Sequence, residues 1–436
     1  MLSIYDVETA RRTLLKRTPL NAMTFPPATL ARTEALFGKG VTPPQAVSTI
    51  LASIQSEADA ALRRWSALLD KATPQDFLIP TEALQSAYDS LPASLLKALE
   101  TAAARIRRFH RMQPLPDWET HEMGGRLGQR VTPIRRVGIY VPGGTAPLPS
   151  SLLMSVIPAQ VAGVPEIIIC TPPVPSPVIL AAAHICGLKK VYQVGGAQAI
   201  GAMAFGTPSI PRVDKIVGAG NLFVTLAKQQ VFGVVGLDGL AGPTETVVVA
   251  DNSARPAWVA ADLLAQAEHD VLASAILLTP ERTLAEAVQA EVARQVESLS
   301  RADIIAQSLA NRSGIVLTPD LQTACALASE YAAEHTCLAI REPEKWMAAI
   351  PNAGGLFLGE HSFEVLGDYA AGPSHVMPTG GTTRFASPLN VLDFVKITSI
   401  IALDASTGRE LSRIAAEIAR AEGLTAHASA ADFRTH

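Results

Sequence analysis

Between Pro256 and Thr279 the chain reads PAWVAADLLAQAEHDVLASAILLT, a largely apolar run that gathers an amide, two carboxylates and an imidazole into the stretch AQAEHD. In buried surroundings each polar group without a partner costs roughly 1–3 kcal/mol, so these side chains either bind something or face solvent. Gln266 and His269 stand at i and i+3, a spacing that on a helix brings both heads to one face within reach of a single ion. A solvated helix face accounts for the pair equally well, because Gln is an uncommon zinc ligand. A second cluster, YAAEHTC, sets Glu334 beside His335 at a predicted helix end just ahead of the apolar run CLAI, where α/β sites lie. Two such groups can serve as two bases, one for an alcohol proton and one to activate water; a charged helix C-terminus is the plainer alternative. GDYAAGPSHVMPTGGTTRF places Asp368 and His375 in a loop rich in Gly and Pro, and EGLTAHAS places Glu422 and His427 near the C-terminus. Each has a structural explanation alone. Together Gln266, His269, Asp368 and His427 form an N/O set of four that a zinc-like ion accepts.

The elements that must position these groups follow from hydrophobic period and chain breakers. The first 130 residues read as mostly helical, with PPQAVSTILASIQSEADAALRRWSALLD and SLLKALETAAARIRRFHRM carrying apolar residues at helical spacing. From Val137 the runs VGIYV, EIIIC, KVYQV and DKIV alternate with small-residue helices, the pattern of βαβ units and a parallel sheet. After GLAGPTE a second series begins: TVVVAD, a helix from Pro256 to about Leu272, then AILLT, GIVLT, CLAI and GLFLG. From Asp393 the pattern is helical again, with GRELSRIAAEIARAEGL amphipathic to Gly423 and a short tail beyond. The expected fold is α/β: two tandem Rossmann-like parallel-sheet units, a helical N-terminal region and a helical C-terminal tail. Three turns, YVPGGTAP, QVGGAQA and IVGAGN, follow apolar strands and expose backbone N–H groups where a sheet gives way to a helix, which suits a phosphate-bearing ligand. The G-x-G-x-x-G dinucleotide fingerprint is missing, since GAGNLF supplies two glycines only.

Composition narrows the function class. A 436-residue chain exceeds what one hydrophobic core usually organises, and 48% hydrophobic with 17% charged residues suits buried sheet or an oligomer. Net charge is −4 and the largest basic cluster is RIRR, which argues against a nucleic-acid surface and for small-molecule partners. The uncharged stretch from Val137 to Pro165 is interrupted by Pro142, Pro147, Pro149, Pro158 and Pro165 with Gly143, Gly144 and Gly163, so it does not read as a membrane span. The start MLSIYDVETARR lacks an export pattern, and Cys170, Cys186, Cys325 and Cys337 show no CxxC spacing, so reduced thiols in a cytoplasmic protein are expected.

The stretches RVGIYVPGG, VGGAQAI, VDKIVGAGN, AGPTE, ADLLAQAEHD, AEH, GDYAAGPSHVMPT and AEGLTAH occur together in one order over nearly the full length. In this the chain resembles the histidinol dehydrogenase family. The resemblance implies a zinc-containing homodimer that oxidises L-histidinol to L-histidinaldehyde and then to L-histidine with two NAD. It implies zinc ligation by Gln266, His269, Asp368 and His427, catalysis by Glu334 and His335, and NAD contacts from Tyr140, Gln198 and Asn221. Thr244, Gln266, His269, His335, Asp368, Glu422 and His427 match positions that touch substrate, with Ser150 and His375 near it. The C-terminal segment is expected to cross to the neighbouring subunit, so that Glu422 and His427 complete its site.

The corresponding division is an N-terminal helical arm over 1–25, a helical part of the large domain over 26–137 and a Rossmann-like NAD-binding domain over 138–242. A second Rossmann-like unit over 243–390 completes the large domain, and a helical tail covers 391–436. Ala333, Thr336, Ala219, Thr244 and Ser374 depart from the family's usual residues at those positions, and none removes a reactive group. Two alternatives stand beside this reading: the same machinery turned to another primary alcohol, and a catalytically idle subunit that keeps the fold as a scaffold.

Overall fold

The computed structural model describes residues 2–17, 25–143 and 147–436. Two parallel sheets organise the chain. The first has five strands in the order Val191–Gln193, Glu166–Thr171, Arg136–Tyr140, Lys215–Val217 and Gly236–Leu237. The second has six, in the order Ile4–Asp6, Gly314–Leu317, Ser274–Thr279, Glu245–Ala250, His335–Ala339 and Gly355–Leu358. All nine strands read from the apolar runs are present, and the two series split at the expected place. Their hydrophobic runs are continuous because both faces are covered: Val247 and Val249 enter one core, Val248 and Ala250 the opposite one. All four cysteines are buried free thiols. Among the described residues no helix is long and apolar enough to cross a membrane.

Several expectations need correction. The helices Pro43–Glu57 and Ala93–Arg111 cover the first sheet, not the second: Ile50 and Ile54 pack with Ile168 and Ile200, and Leu99 and Ile106 with Ile139 and Leu153. Residues 26–137 therefore do not join the second unit, because their apolar faces close over the sheet that starts at Arg136. Nor are they wholly helical, since Trp118–Thr120 and Gly125–Pro133 are strands. The 1–25 arm supplies Ile4–Asp6 as a parallel edge strand beside Gly314–Leu317 before its helix Val7–Arg12. The tail does not turn helical at Asp393. Val395–Leu403 pairs antiparallel with Gly125–Pro133 along its whole length, and only then come helices Ala405–Ala421 and Thr425–Asp432. Its β-branched sequence VKITSIIAL suits a strand better than a helix.

The helix from Pro256 stops at Ala267 instead of Leu272, because Asp270 turns the chain by accepting the Leu272 N–H at 2.8 Å. Of the three glycine turns, Gly195–Gly196 and Gly218–Gly220 lie after strands of the first sheet as expected, while Gly144 in YVPGGTAP falls outside the described residues. The Gly218 turn is held by a buried ion pair. Lys228 donates to Asp238 at 2.5 Å and to the Gly218 carbonyl at 2.8 Å, and Asp238 accepts the Gly218 N–H at 2.7 Å. Lys228→Met would leave the Asp238 carboxylate buried and without its cation. The expected loss is about 3–5 kcal/mol in urea denaturation, whereas an unchanged midpoint would mean that solvent reaches the carboxylate.

Candidate active site

The second sheet presents its amino end to the chemistry. Thr244 precedes strand Glu245–Ala250, Glu334 precedes strand His335–Ala339, and the two strands are neighbours with His335 opposite Thr246. Parallel strands leave the groups at their starts free to bond side chains, and this site uses them. Glu334 accepts from the Thr244 hydroxyl at 2.5 Å and from the Glu245 N–H at 3.2 Å. His335 sets Nδ1 at 3.3 Å from the Glu245 carbonyl. A carbonyl can only accept, so Nδ1 carries the proton and Nε2 is the basic nitrogen of the neutral ring. That Nε2 lies 3.4 Å from Asp368, and Asp368 lies 3.6 Å from His375 Nδ1. The site thus lies at the amino ends of these strands, the sheet end marked by the position of Glu334 and His335 just ahead of CLAI.

Burial makes this cluster electrostatically tight. It pushes Glu334 up to about 7, against the pull of His335 and the Thr244 hydrogen bond. For His335 burial works against the protonated ring, but the charges of Glu364, Glu334 and Asp368 outweigh it and raise the value. Burial opposes ionisation of Asp368 as well, yet the neighbouring His335 and His375 imidazoles hold it well below the ordinary carboxylate range.

Gln266 lies fully buried at the end of its helix. It donates to Thr244 at 2.8 Å, while its Oε1 has no hydrogen-bond partner. His269 follows the helix end on an exposed stretch, where desolvation lowers its pKa and the Asp368 charge opposes that shift. Gln266, His269, Asp368, Glu334, His335, Thr244 and His375 therefore gather in one region. Ser150 is buried in the first turn of helix Pro149–Val161, and the adjacent Ser151 faces His375 Nε2 at 3.5 Å. Glu422 and His427 are not part of this assembly within one chain. Both are exposed, His427 on a helix packed against Ala405–Ala421, and neither makes a hydrogen bond or ion pair to the cluster.

Sequence reasoning missed Glu364. It is 1% exposed, bonded by the Thr246 hydroxyl, and its Oε1 lies 4.0 Å from His335 Nδ1. His335, Glu364 and Asp368 each offer a ligand atom within 4.8 Å of the others, a group able to hold a metal ion. The i, i+4 spacing of Glu364 and Asp368 was the available signal.

The three residues matched to NAD contacts lie at the carboxyl end of the first sheet. Tyr140 ends its strand and accepts the Gly196 N–H at 3.1 Å. Gln198 is wholly buried, donates to Asp70 at 3.0 Å and leaves Oε1 without a partner. Asn221 caps helix Leu222–Val231 by accepting from Phe223 and Val224. The two sheets meet across residues 374–393: the Ser374 hydroxyl donates to Met154 at 3.1 Å, Gly242 donates to Thr379 at 2.6 Å, and Lys215 donates to the Asp393 carbonyl at 2.6 Å.

Comparison with known proteins places this geometry. The histidinol dehydrogenase of Thermus thermophilus is 51% identical over 388 residues, covering 89% of this chain and 93% of that protein. That of Deinococcus radiodurans is 48% identical, covering 97% of this chain and 98% of that protein. The crystal structure of histidinol dehydrogenase from Elizabethkingia anophelis superposes with a TM-score of 0.90 at 34% identity, covering 99% of this chain and 98% of that one. The sequence profile described as Histidinol dehydrogenase matches residues 40–435, and the chain belongs to that family of oxidoreductases.

Proposed function

We propose that this protein oxidises L-histidinol through L-histidinaldehyde to L-histidine, the last two steps of histidine biosynthesis, as a zinc- and NAD-dependent cytoplasmic homodimer. The observation that carries the reading is the buried Glu334–His335 pair beside a Gln266 carbonyl with no partner, in a chain of this family. Buried polar atoms normally find partners, so an orphan oxygen on Gln266, three residues ahead of His269 and linked through Thr244 to Glu334, suits an ion ligated by N and O atoms. Gln266, His269 and Asp368, with His427 of the partner subunit, would hold zinc, which when bound orients the amine and imidazole of the substrate. His335 and Glu364 are the weaker claim on that ion. The His335 Nε2 is needed as a base, and a Glu364 oxygen is already bonded by Thr246.

The residues divide the work. His335 Nε2 takes the hydroxyl proton of histidinol, its ring held by the Glu245 carbonyl. Glu334, poised near neutrality, takes the proton of the water that adds to the aldehyde. Thr244, Gln266, Asp368, His375 and Ser150 bound the substrate from one chain, and Glu422 and His427 of the partner subunit bound it from the other. Tyr140, Gln198 and Asn221 seat NAD, which when bound accepts the hydride. The orphan Gln198 oxygen fits a ligand with donor groups, and the N–H groups at its helix start fit phosphate. The apolar residues Ile401, Leu411, Ile414, Ile418 and Phe433, all exposed on one chain, support burial of the tail in a dimer. The departures from the family pattern are compatible with this assignment, since Thr244 keeps the hydroxyl that bonds Glu334.

NADH formation at 340 nm from a panel of primary alcohols tests the reading: histidinol should be turned over, and exclusive use of another alcohol would reassign the substrate. Within that reaction Glu334→Gln keeps the shape of the acid but cannot accept a proton. Oxidation of supplied histidinaldehyde should fall by on the order of 10²- to 10⁴-fold, with the first half-reaction less affected. Equal losses would mean that Glu334 only orients its neighbours.

Metal analysis should find about one zinc per chain, reduced severely in His269→Ala because three ligands hold an ion less tightly. Full zinc and full activity in that variant would remove His269 from the site. Mixing inactive His427→Ala with inactive Glu334→Ala chains should restore activity through heterodimers holding one site of wild-type residues. No recovery after demonstrated subunit exchange would place His427 in its own chain's site.

A further inference from the structure

Arg17, in the N-terminal arm, brings a guanidinium to the back of the catalytic pair. Arg17 pairs with Glu245 through both forks, one of them at 2.9 Å, and neither side chain is more than a quarter exposed. The same guanidinium donates through Nε to the Tyr331 carbonyl at 2.9 Å and through a terminal nitrogen to the Tyr331 and Ala332 carbonyls at 2.5 and 3.4 Å. Its carbon lies 3.5 Å above the centre of the Tyr331 ring. Tyr331 and Ala332 end helix Leu321–Tyr331, with Ala332 in the left-handed region at φ 53°, and the next residues but one are Glu334 and His335. The Gly380 N–H, from the segment that joins the two sheets, also donates to Glu245 at 3.2 Å.

The two groups that Arg17 grips are those that aim the catalytic pair. The Glu245 N–H bonds Glu334, the Glu245 carbonyl faces His335 Nδ1, and the Tyr331–Ala332 carbonyls fix where the chain enters strand His335–Ala339. One planar fork with five donors therefore ties the starts of two adjacent strands, a geometry that Lys cannot reproduce. We propose that Arg17 is a positioning residue for the dehydrogenase reaction, acting through Glu245 to hold Glu334 and His335 in register. The inference rests on the function proposed above, and Arg17 lies outside residues 40–435 that carry the family match.

The alternative is that Arg17 merely docks the arm. Arg11 is the control for docking, since it pairs with Glu330 at 2.8 Å, on the same helix and in full view of solvent. Steady-state kinetics, thermal melting and the ¹⁵N-labelled imidazole resonances of His335, assigned with His335→Gln, are compared for wild type, Arg17→Ala, Arg17→Lys and Arg11→Ala. Misplacement by about 1 Å costs up to about 100-fold. Arg17→Ala should accordingly lose about 10- to 100-fold in kcat with KM within about threefold, and its His335 resonances should move. Arg17→Lys, which also serves if the alanine variant does not fold, should recover part of kcat, and Arg11→Ala should match wild type. Wild-type kcat and unmoved resonances in a folded Arg17 variant would overturn the proposal, as would a loss that disappears when the assay is cooled below the variant's melting transition. A wild-type protein without histidinol oxidation would instead overturn the function proposed above, and the His335 resonances would still decide the role of Arg17.

Discussion

Glu334, Glu364 and Asp368 are all buried and each lies within 4.0 Å of the buried His335 ring, and the rest of the molecule has to make that arrangement tolerable. Removing one partner of a buried ionic group is far more damaging than losing an exposed pair, because the remaining charge has neither water nor counter-ion. Each member here has a fixed neighbour: Thr244 and the Glu245 N–H for Glu334, Thr246 for Glu364, the Glu245 carbonyl for His335, and two imidazoles for Asp368. Three of these four solutions come from the start of a single strand. The parallel pairing of Glu245–Ala250 with His335–Ala339 is therefore also the device that satisfies the site's polar groups.

The same pairing puts the proposed bases of the second unit at the amino end of its sheet, whereas the nucleotide site proposed for the first unit lies at a carboxyl end. Ligands in open parallel sheets usually lie beyond the carboxyl ends of the strands. Tyr140, the Gly195–Gly196 turn and the Gly218–Asn221 turn obey that rule. Bases that must meet a hydride acceptor need to sit beside it, and the segment 374–393 joins the two sheets from the other side. Ser151, His375, Asp368 and His335 form a continuous line from the first unit's helix to the second unit's catalytic strand.

How much of this was legible follows from the range of each signal. Strands buried on both faces announce themselves as short apolar runs, so nine of the eleven in the two sheets could be read, while the short Ile4–Asp6 and Gly236–Leu237 could not. Strand Val395–Leu403 could not be placed from its neighbourhood, since its partner Gly125–Pro133 lies far away in the chain and four of its six apolar residues are exposed. Gln266, His269, Glu334, His335 and Asp368 stood out because polar groups in apolar stretches demand partners. Glu364 and Arg17 did not, because an acid in the first turn of a short helix, whatever its spacing to Asp368, and a lone arginine in a polar arm read as surface residues until tertiary pairing brings them inward. Grouping 26–137 with 243–390 in one large domain rested on helical periodicity, which gives the apolar face but not the sheet it covers.

A single chain gathers Glu334 and His335, proposed as the two bases, and supplies three of the four proposed zinc donors, but leaves His427 exposed beside a run of uncovered apolar side chains. Anomalous diffraction at the zinc edge, on crystals grown with zinc and histidinol, tests this account most directly. It predicts one peak per chain bounded by Gln266 Oε1, His269, Asp368 and His427 of the partner subunit, with His335 Nε2 free to face the substrate hydroxyl. A peak held instead by His335, Glu364 and Asp368 would contradict it, because the proposed base would then be a ligand.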